Sequence, residues 1–166
     1  MNYQTTQLNE AQTSFAPHHD DVLTTLDNFA ESIRNGNIET IMSYFADAIV
    51  AYDIMPPIEF TNKKTYQDAL QNYFTSVFIF PVNFTFLERT LEICGDLAFA
   101  NAIIHLEGDT IHGGYINNWF RNSTCLKNIN GKWLIKSYHN SVPVDAITSK
   151  GILNLAPEFM NESELL

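Results

Sequence analysis

The feature that most narrows the fold is a series of four β-rich segments in the second half of the chain, each separated from the next by a short turn cluster. Residues 82–93, 97–107, 115–127 and 133–139 are dense in Val, Ile, Phe, Tyr, Trp and Thr, the side chains that fit a pleated, half-buried surface. Gly95-Asp96, Gly108-Asp109 and Asn130-Gly131 punctuate them, and Asn-Gly ahead of a strand is a strong hairpin signal. Connections this short join antiparallel neighbours, so the segments read as a four-strand antiparallel meander.

Upstream of residue 81 the apolar period changes to that of helices. Asp20 and Asp21 suit a helix start, Val22, Leu26, Phe29, Ala30 and Ile33 fall on one stripe, and Arg34-Asn35-Gly36 supplies a stop. Asn37 can cap a second, shorter helix carrying Ile38, Ile41, Met42 and Phe45 and ending near Asp47. Residues 48–53 then form a short strand with Asp53 at its end, running into a loop where Pro56-Pro57 lacks two backbone donors. Thr61 or Asn62 can cap a third helix with Tyr66, Ala69, Leu70, Tyr73, Phe74 and Val77 along one side. Three helices with one early strand, followed by a meander, define an α+β domain. The expected organisation is a flexible lead-in over 1–19, which includes a solvated His18-His19 pair, and a folded domain over 20–145. Residues 146–166 read equally as a tail, a cap over a pocket or an oligomer contact.

Composition excludes several classes of partner. The 166 residues are 45% hydrophobic, enough for one core in one domain. Nine Lys+Arg against 19 Asp+Glu give a net charge of −10, which repels nucleic-acid phosphates and anionic lipid. No stretch approaches the roughly 18 apolar residues of a membrane span, and the start of the chain lacks a basic, apolar leader. The expectation is a cytoplasmic protein with neither a nucleic-acid nor a membrane partner. Cys94 and Cys125 show no CxxC spacing, so they read as free thiols, and no Gly-rich phosphate loop or nucleophile elbow around Ser141 is present. His105 and His112 would face each other across a two-residue turn, whereas a looser turn at Gly113-Gly114 would separate them, and a metal would still need a third ligand from Asp53 or His139. Neither a metal nor a cofactor is expected.

Three segments, Ile33-Arg34-Asn35-Gly36-Asn37 to Ala48, Tyr52-Asp53 with Pro56-Pro57, and Trp119-Phe120-Arg121 to Val144-Asp145, resemble the ketosteroid isomerase and SnoaL-like polyketide cyclase proteins of the nuclear transport factor 2-like superfamily. Ile33-Arg34-Asn35-Gly36-Asn37 running to Phe45-Ala46-Asp47-Ala48 is similar to that family's helix, turn, helix and entry into strand one. Tyr52-Asp53 followed by Pro56-Pro57 is the second segment. The third runs from Trp119-Phe120-Arg121 through Ile129-Asn130-Gly131-Lys132-Trp133 to Ser141-Val142-Pro143-Val144-Asp145. The resemblance implies a cystatin-like cone, in which three N-terminal helices pack on a strongly curved, mostly antiparallel sheet around a pocket, with homodimers common. It is specific for fold and weak for chemistry, because this scaffold carries isomerases, cyclases, dehydratases and pure binding domains alike.

On that resemblance Asp53 matches the isomerase's general base, and a carboxylate at a strand end beside Tyr52 can move a proton between carbons. The alternative is a strand-ending Asp that bonds backbone amides. The isomerase's oxyanion donors, a Tyr and a protonated acid, are missing: Phe29 stands where the Tyr belongs, and Ser123 lies near the place of the acid. Arg121 is expected to supply a positive charge by sharing a strand face with Trp119 and Ser123, and His139 to act as acid or base, with a rim salt bridge and a structural histidine as the alternatives. Asp53, Arg121 and His139 are thus the candidate catalytic residues, and Phe29, Tyr52, Phe74, Trp119 and Ser123 the candidate ligand wall. Two functions follow: a cofactor-independent isomerase, cyclase or lyase on an apolar or aromatic carbonyl compound, or a non-catalytic ligand-binding or dimerisation module.

Overall fold

A computed structural model describes residues 18–158. In chain order they form α1 (His19–Arg34), α2 (Ile38–Ser43), β1 (Phe45–Tyr52), α3 (Lys63–Val77), β2 (Asn83–Cys94), β3 (Leu97–Asp109), β4 (Tyr115–Ile129) and β5 (Lys132–Ser141). The strands make one five-stranded sheet in the order β1-β5-β4-β3-β2. β1 lies parallel to β5, and β2 to β5 form the antiparallel meander expected from the turn clusters. With helices packed on one face of a mostly antiparallel sheet, the architecture is the expected α+β cone.

Local signals start α2 and α3 and stop α1, whereas the sheet stops α2. The Asn37 side chain accepts from Thr40 N at the start of α2, and Asn62 accepts from Lys64 N and Thr65 N at the start of α3, filling backbone donors that the helix leaves unpaired. α1 stops because Gly36 adopts φ +67°, a left-handed conformation that L side chains rarely take. There the chain turns tightly against β2: Val82 N donates to Arg34 O, and Arg34 Nε donates to Phe84 O. α2 ends at Ser43, short of the expected Asp47, and residues 45–47 already belong to β1. The reason is that Ile135 N of β5 donates to Tyr44 O, and Phe45 pairs with Ile135, so the sheet takes the backbone that a longer helix would need.

The inner face of the sheet and the stripes of α1 and α3 enclose the core. Phe29 of α1 is its aromatic hub, with ring contacts to Tyr44, Phe45, Phe86 and Tyr138 at 5.6–6.3 Å. Two register breaks keep the apolar side chains inward. In β2 the pairing with β3 slips between Leu87 and Thr90, with Glu88 at φ 48°. Phe84 and Phe86 before the slip, and Leu91 and Ile93 after it, therefore all face the core, which a strict two-residue alternation could not achieve. In β5 an extra residue falls between Ile135 and Ser137 opposite Cys125 and Leu126, so Trp133 and Ile135, then Tyr138, point inward.

The β3–β4 connection is looser than a two-residue turn. β3 runs on through Gly108-Asp109, and the turn is closed by Thr110 N donating to Gly114 O and Gly114 N donating to Thr110 Oγ1. His105 consequently pairs with Trp119, and His112 lies in the turn, so the two histidines do not face each other. His18 is not simply solvated: it approaches Asp21 at 3.0 Å and sets its ring edge on Trp133. Beyond β5 the chain doubles back, Ile152 N donating to Pro143 O, and Leu153 O accepts from Trp119 N. This part of 146–166 is thus a strap along β4 past the end of β5; residues 1–17 and 159–166, and the readings that fall on them, lie outside the described residues. No helix among the described residues is long and apolar enough to cross a membrane.

Ile104→Ala, at a position with 0% exposure in the middle of β3, is expected to lower unfolding free energy by about 2–5 kcal/mol in urea titrations. Gly36→Ala forces a Cβ to 2.8 Å from the Phe80 ring at positive φ, and should lower stability by roughly 1–2 kcal/mol, seen as a lower urea midpoint at unchanged slope.

Candidate functional site

Between the sheet and the helices lies a cavity with about 660 Å³ of space not filled by atoms, part of it open to solvent. Only a small part of it is wide enough to admit a water molecule, and the rest lies in the crevices between wall side chains. Its walls are apolar: Phe29 and Ile33 from α1, Leu70 and Phe74 from α3, Phe84 from β2, Leu106 from β3 and Phe120 from β4, among others. Ile54 and Met55 reach it from the loop after β1, which is folded back by the mutual backbone bonds of Ala51 and Phe60.

One end of the slot is polar. Asp53 continues the alternation of Ile49 and Ala51 and so turns to the inner face. Tyr66 of α3 donates its hydroxyl to Asp53 Oδ2 at 2.7 Å, Asn140 Nδ2 donates to Oδ1 at 3.2 Å, and Ile54 N donates to Oδ1 at 2.7 Å. Asp53 therefore does hold a backbone amide, as the strand-ending alternative has it, while also facing the cavity. Tyr138, one residue of β5 across from Ala51, and Tyr73 of α3 complete the polar end.

Burial, followed by the negative charge of Asp53, holds the phenols of Tyr66 and Tyr73 above the ordinary tyrosine range. Tyr138 is raised strongly for the same two reasons, in that order, and the Asn140 amide beside its oxygen offsets part of the rise. These hydroxyls are accordingly neutral donors throughout the physiological range. No cluster of His, Cys, Asp and Glu able to hold a metal is found among the described residues.

The residues singled out from the sequence divide between two faces. Asp53, Phe29 and Phe74 line the cavity. Trp119, Arg121 and Ser123 do share a strand face, but it is the outer one, because Phe120 takes the inward position in β4. Trp119 stacks on His105 with ring centroids 3.8 Å apart, and Ser123 donates to Asn101 Oδ1 at 2.7 Å. Tyr52 and His139, paired in the β1–β5 register, lie together on that outer face at 5.6 Å. Arg121, Ser123 and His139 line a shallow outer groove with Glu88, Asn101 and Ser141. Arg121 therefore brings no charge to Asp53, whose carboxylate is held instead by Tyr66 and Asn140, and His139 is turned away by the extra residue in β5.

Tyr66, Tyr138 and Asn140 escaped the sequence reading. Tyr66 was legible as part of the apolar stripe of α3, where its ring indeed packs. The one available signal for its hydroxyl was the recurrence of Tyr at positions 66 and 73 on a stripe otherwise built of Ala, Leu, Phe and Val.

Residues 22–145 match the SnoaL-like domain family. No curated protein matches the chain significantly. Among solved structures it is similar to an NTF2-like protein of unknown function from Pseudomonas putida KT2440, at 23% identity over 83% of this chain and 95% of that one, with a TM-score of 0.74. A ketosteroid isomerase-like protein from Erwinia carotovora atroseptica superposes with a TM-score of 0.66 at 15% identity, over 76% of this chain and 97% of that one. The association domain of C. elegans CaMKII does so at 0.61 and 13% identity, over 74% and 94%. At such identities the structural likenesses establish fold alone. The family match runs from within α1 to the residues just past β5, including both walls of the cavity and its polar end, and the chain therefore belongs to the SnoaL-like domain family, with a fold like that of NTF2-like proteins.

Proposed function

We propose that this protein is a cofactor-independent isomerase or lyase that moves a proton on a small apolar carbonyl compound, with Asp53 as the proton carrier. The observation that carries the reading is the placement of a single carboxylate at the end of an otherwise apolar slot, with neutral phenols beside it. In such a slot the Asp53 carboxylate removes a proton from the carbon next to a carbonyl, and the bonding electron pair moves to the carbonyl oxygen. The Tyr138 hydroxyl, a donor held neutral by burial, is suited to stabilise that oxygen, and protonated Asp53 then returns the proton to a different carbon. Tyr138 thus serves in the role the sequence reading gave to Arg121. Phe29 and Phe74 serve as wall against the ligand's apolar body.

A second reading is favoured by one specific fact: both oxygens of Asp53 already accept hydrogen bonds within the protein. On that reading the slot binds the same class of ligand without turnover, Asp53 and Tyr138 acting as a polar anchor. The likeness to an association domain supports a homodimer under either reading.

The test begins with thermal shift against aromatic, polyketide-like and steroid-like carbonyl compounds, since a ligand that binds only the folded state raises Tm. With a hit in hand, Asp53→Asn is expected to abolish turnover, by about 100-fold or more, while ligand affinity changes little. Wild-type rates in Asp53→Asn sink the proton-carrier role, and binding without turnover in the wild type selects the second reading.

The tyrosines also set a pH dependence. Above the ordinary phenol value of 10.0 the unfolded chain loses protons that folded Tyr66, Tyr73 and Tyr138 retain. The folded state then binds more protons, so stability falls as pH rises past about 10 and these groups add no slope below it. Urea titrations between about pH 8 and pH 11 check this, and Tyr138→Phe is expected to flatten the alkaline fall.

A further inference from the structure

Asn122 and Thr124 are among the few polar side chains buried in this protein, at 4% and 0% exposure, and the proton-transfer reading gives them no task. They sit on the inner face of β4, directly across from β5: Asn122 pairs with Asn140, and Thr124 with Tyr138. Their hydrogen bonds form one chain that ends at Asp53. Thr124 Oγ1 donates to Asn122 Oδ1 at 2.8 Å, Asn122 Nδ2 donates to Asn140 Oδ1 at 2.9 Å, and Asn140 Nδ2 donates to Asp53 Oδ1 at 3.2 Å. Asn122 Nδ2 also reaches His139 O at 3.4 Å.

The direction of this chain is dictated from its charged end. A carboxylate only accepts, so Asn140 must turn its NH2 toward Asp53 and hence its oxygen toward Asn122. Asn122 must then offer its NH2 to Asn140 and its oxygen to Thr124, whose hydroxyl must donate. Asn140 is held against a 180° flip by the carboxylate on one side and the Asn122 NH2 on the other, and Asn122 is held by two acceptors, Asn140 Oδ1 and His139 O, while the Thr124 hydroxyl gives Asn122 Oδ1 its donor. A flipped Asn140 would set its carbonyl oxygen against the carboxylate and its NH2 against that of Asn122, leaving both contacts without a hydrogen bond.

We propose that Asn122 and Thr124 are positioning residues for Asp53, a buried relay of fixed polarity that keeps the Asn140 amide donating to the carboxylate. The inference deepens the reading of Asp53 as the working group of the cavity, but it concerns hydrogen-bond direction, which exists whether or not the protein turns a substrate over.

Side-chain amide 15N–1H spectra of the full chain test it without any ligand. Asp53→Asn removes the acceptor-only end, and the relay requires the NH2 resonances of Asn122, which does not touch Asp53, to shift along with those of Asn140. An unmoved Asn122 overturns the proposal. In Thr124→Val the far donor is gone, and hydrogen exchange of the Asn140 side-chain amide is expected to quicken roughly two- to tenfold relative to backbone amides of β4 and β5. Thr124→Ser keeps the hydroxyl and should restore the wild-type ratio. General loosening of the fold would move both classes of amide together, and that result in Thr124→Val also overturns it. With turnover established, Thr124→Val should lower kcat with little change in KM. Failure of the proton-transfer reading leaves the spectra unaffected, so the two ideas fail separately.

Discussion

A curved sheet that must keep one face against helices along strands of up to 15 residues depends on where its register breaks. A strand's side chains alternate with a period of two, while curvature around a packed core asks for more apolar side chains on the concave side than strict alternation supplies at each point. The protein meets this with an extra residue in β2 around Glu88 and another in β5 around Lys136. Each resets the alternation, and the β5 break turns Tyr138 and Asn140 inward at the level of Asp53, sending His139 out. The polar end of the cavity exists because of that break: without it, β5 would present His139 and Ser137 to Asp53, and the outer groove would be lined by Tyr138.

This is also why the fold was readable from the sequence while most of the site was not. Turn clusters, helix stops and caps are local signals, and Gly36, Asn37, Asn62 and Asn130-Gly131 each do in the structure what their chemistry suggests in the sequence. The meander follows from the same local signals. Asp53 stands out in the sequence chiefly through the resemblance, which matches it to the isomerase's general base, and its place at the end of a short strand fits that match. A bulge, by contrast, leaves little local trace, since Ile135-Lys136-Ser137-Tyr138 looks like an ordinary alternating strand read in either phase. Counting by twos from Trp133 puts His139 inside, and the structure puts it outside. In β4, where no break intervenes between Trp119 and Ser123, alternation gives correctly which residues share a face, but it is Phe120 and not the larger Trp119 that takes the inner face.

Tyr66 and Tyr138 show how an aromatic core and a functional site are made from the same residues. Phe45 contacts both rings, and Phe29 contacts Tyr138, at 5.5–5.9 Å, and such edge-on ring pairs contribute about 0.5–1.5 kcal/mol each beyond area burial. That packing fixes where each hydroxyl sits. Phe29, which stands where an isomerase-like sequence would have a tyrosine, therefore supports the donor instead of being one.

The shape of the cavity and the polarity of its end together set what it can discriminate. Apolar walls alone distinguish ligands weakly, by roughly 1–3 kcal/mol per methylene. A half-buried carboxylate and buried phenols distinguish them more sharply, because a hydrocarbon of the right shape would displace water from Tyr138 and Asp53 and return no hydrogen bond. On the proposed reading a carbonyl or hydroxyl group of the ligand restores that bond, and the apolar lining covers the rest of the molecule. On that reading, selection for an oxygen beside Asp53 and for apolar bulk elsewhere comes from the same arrangement that holds the carboxylate in place.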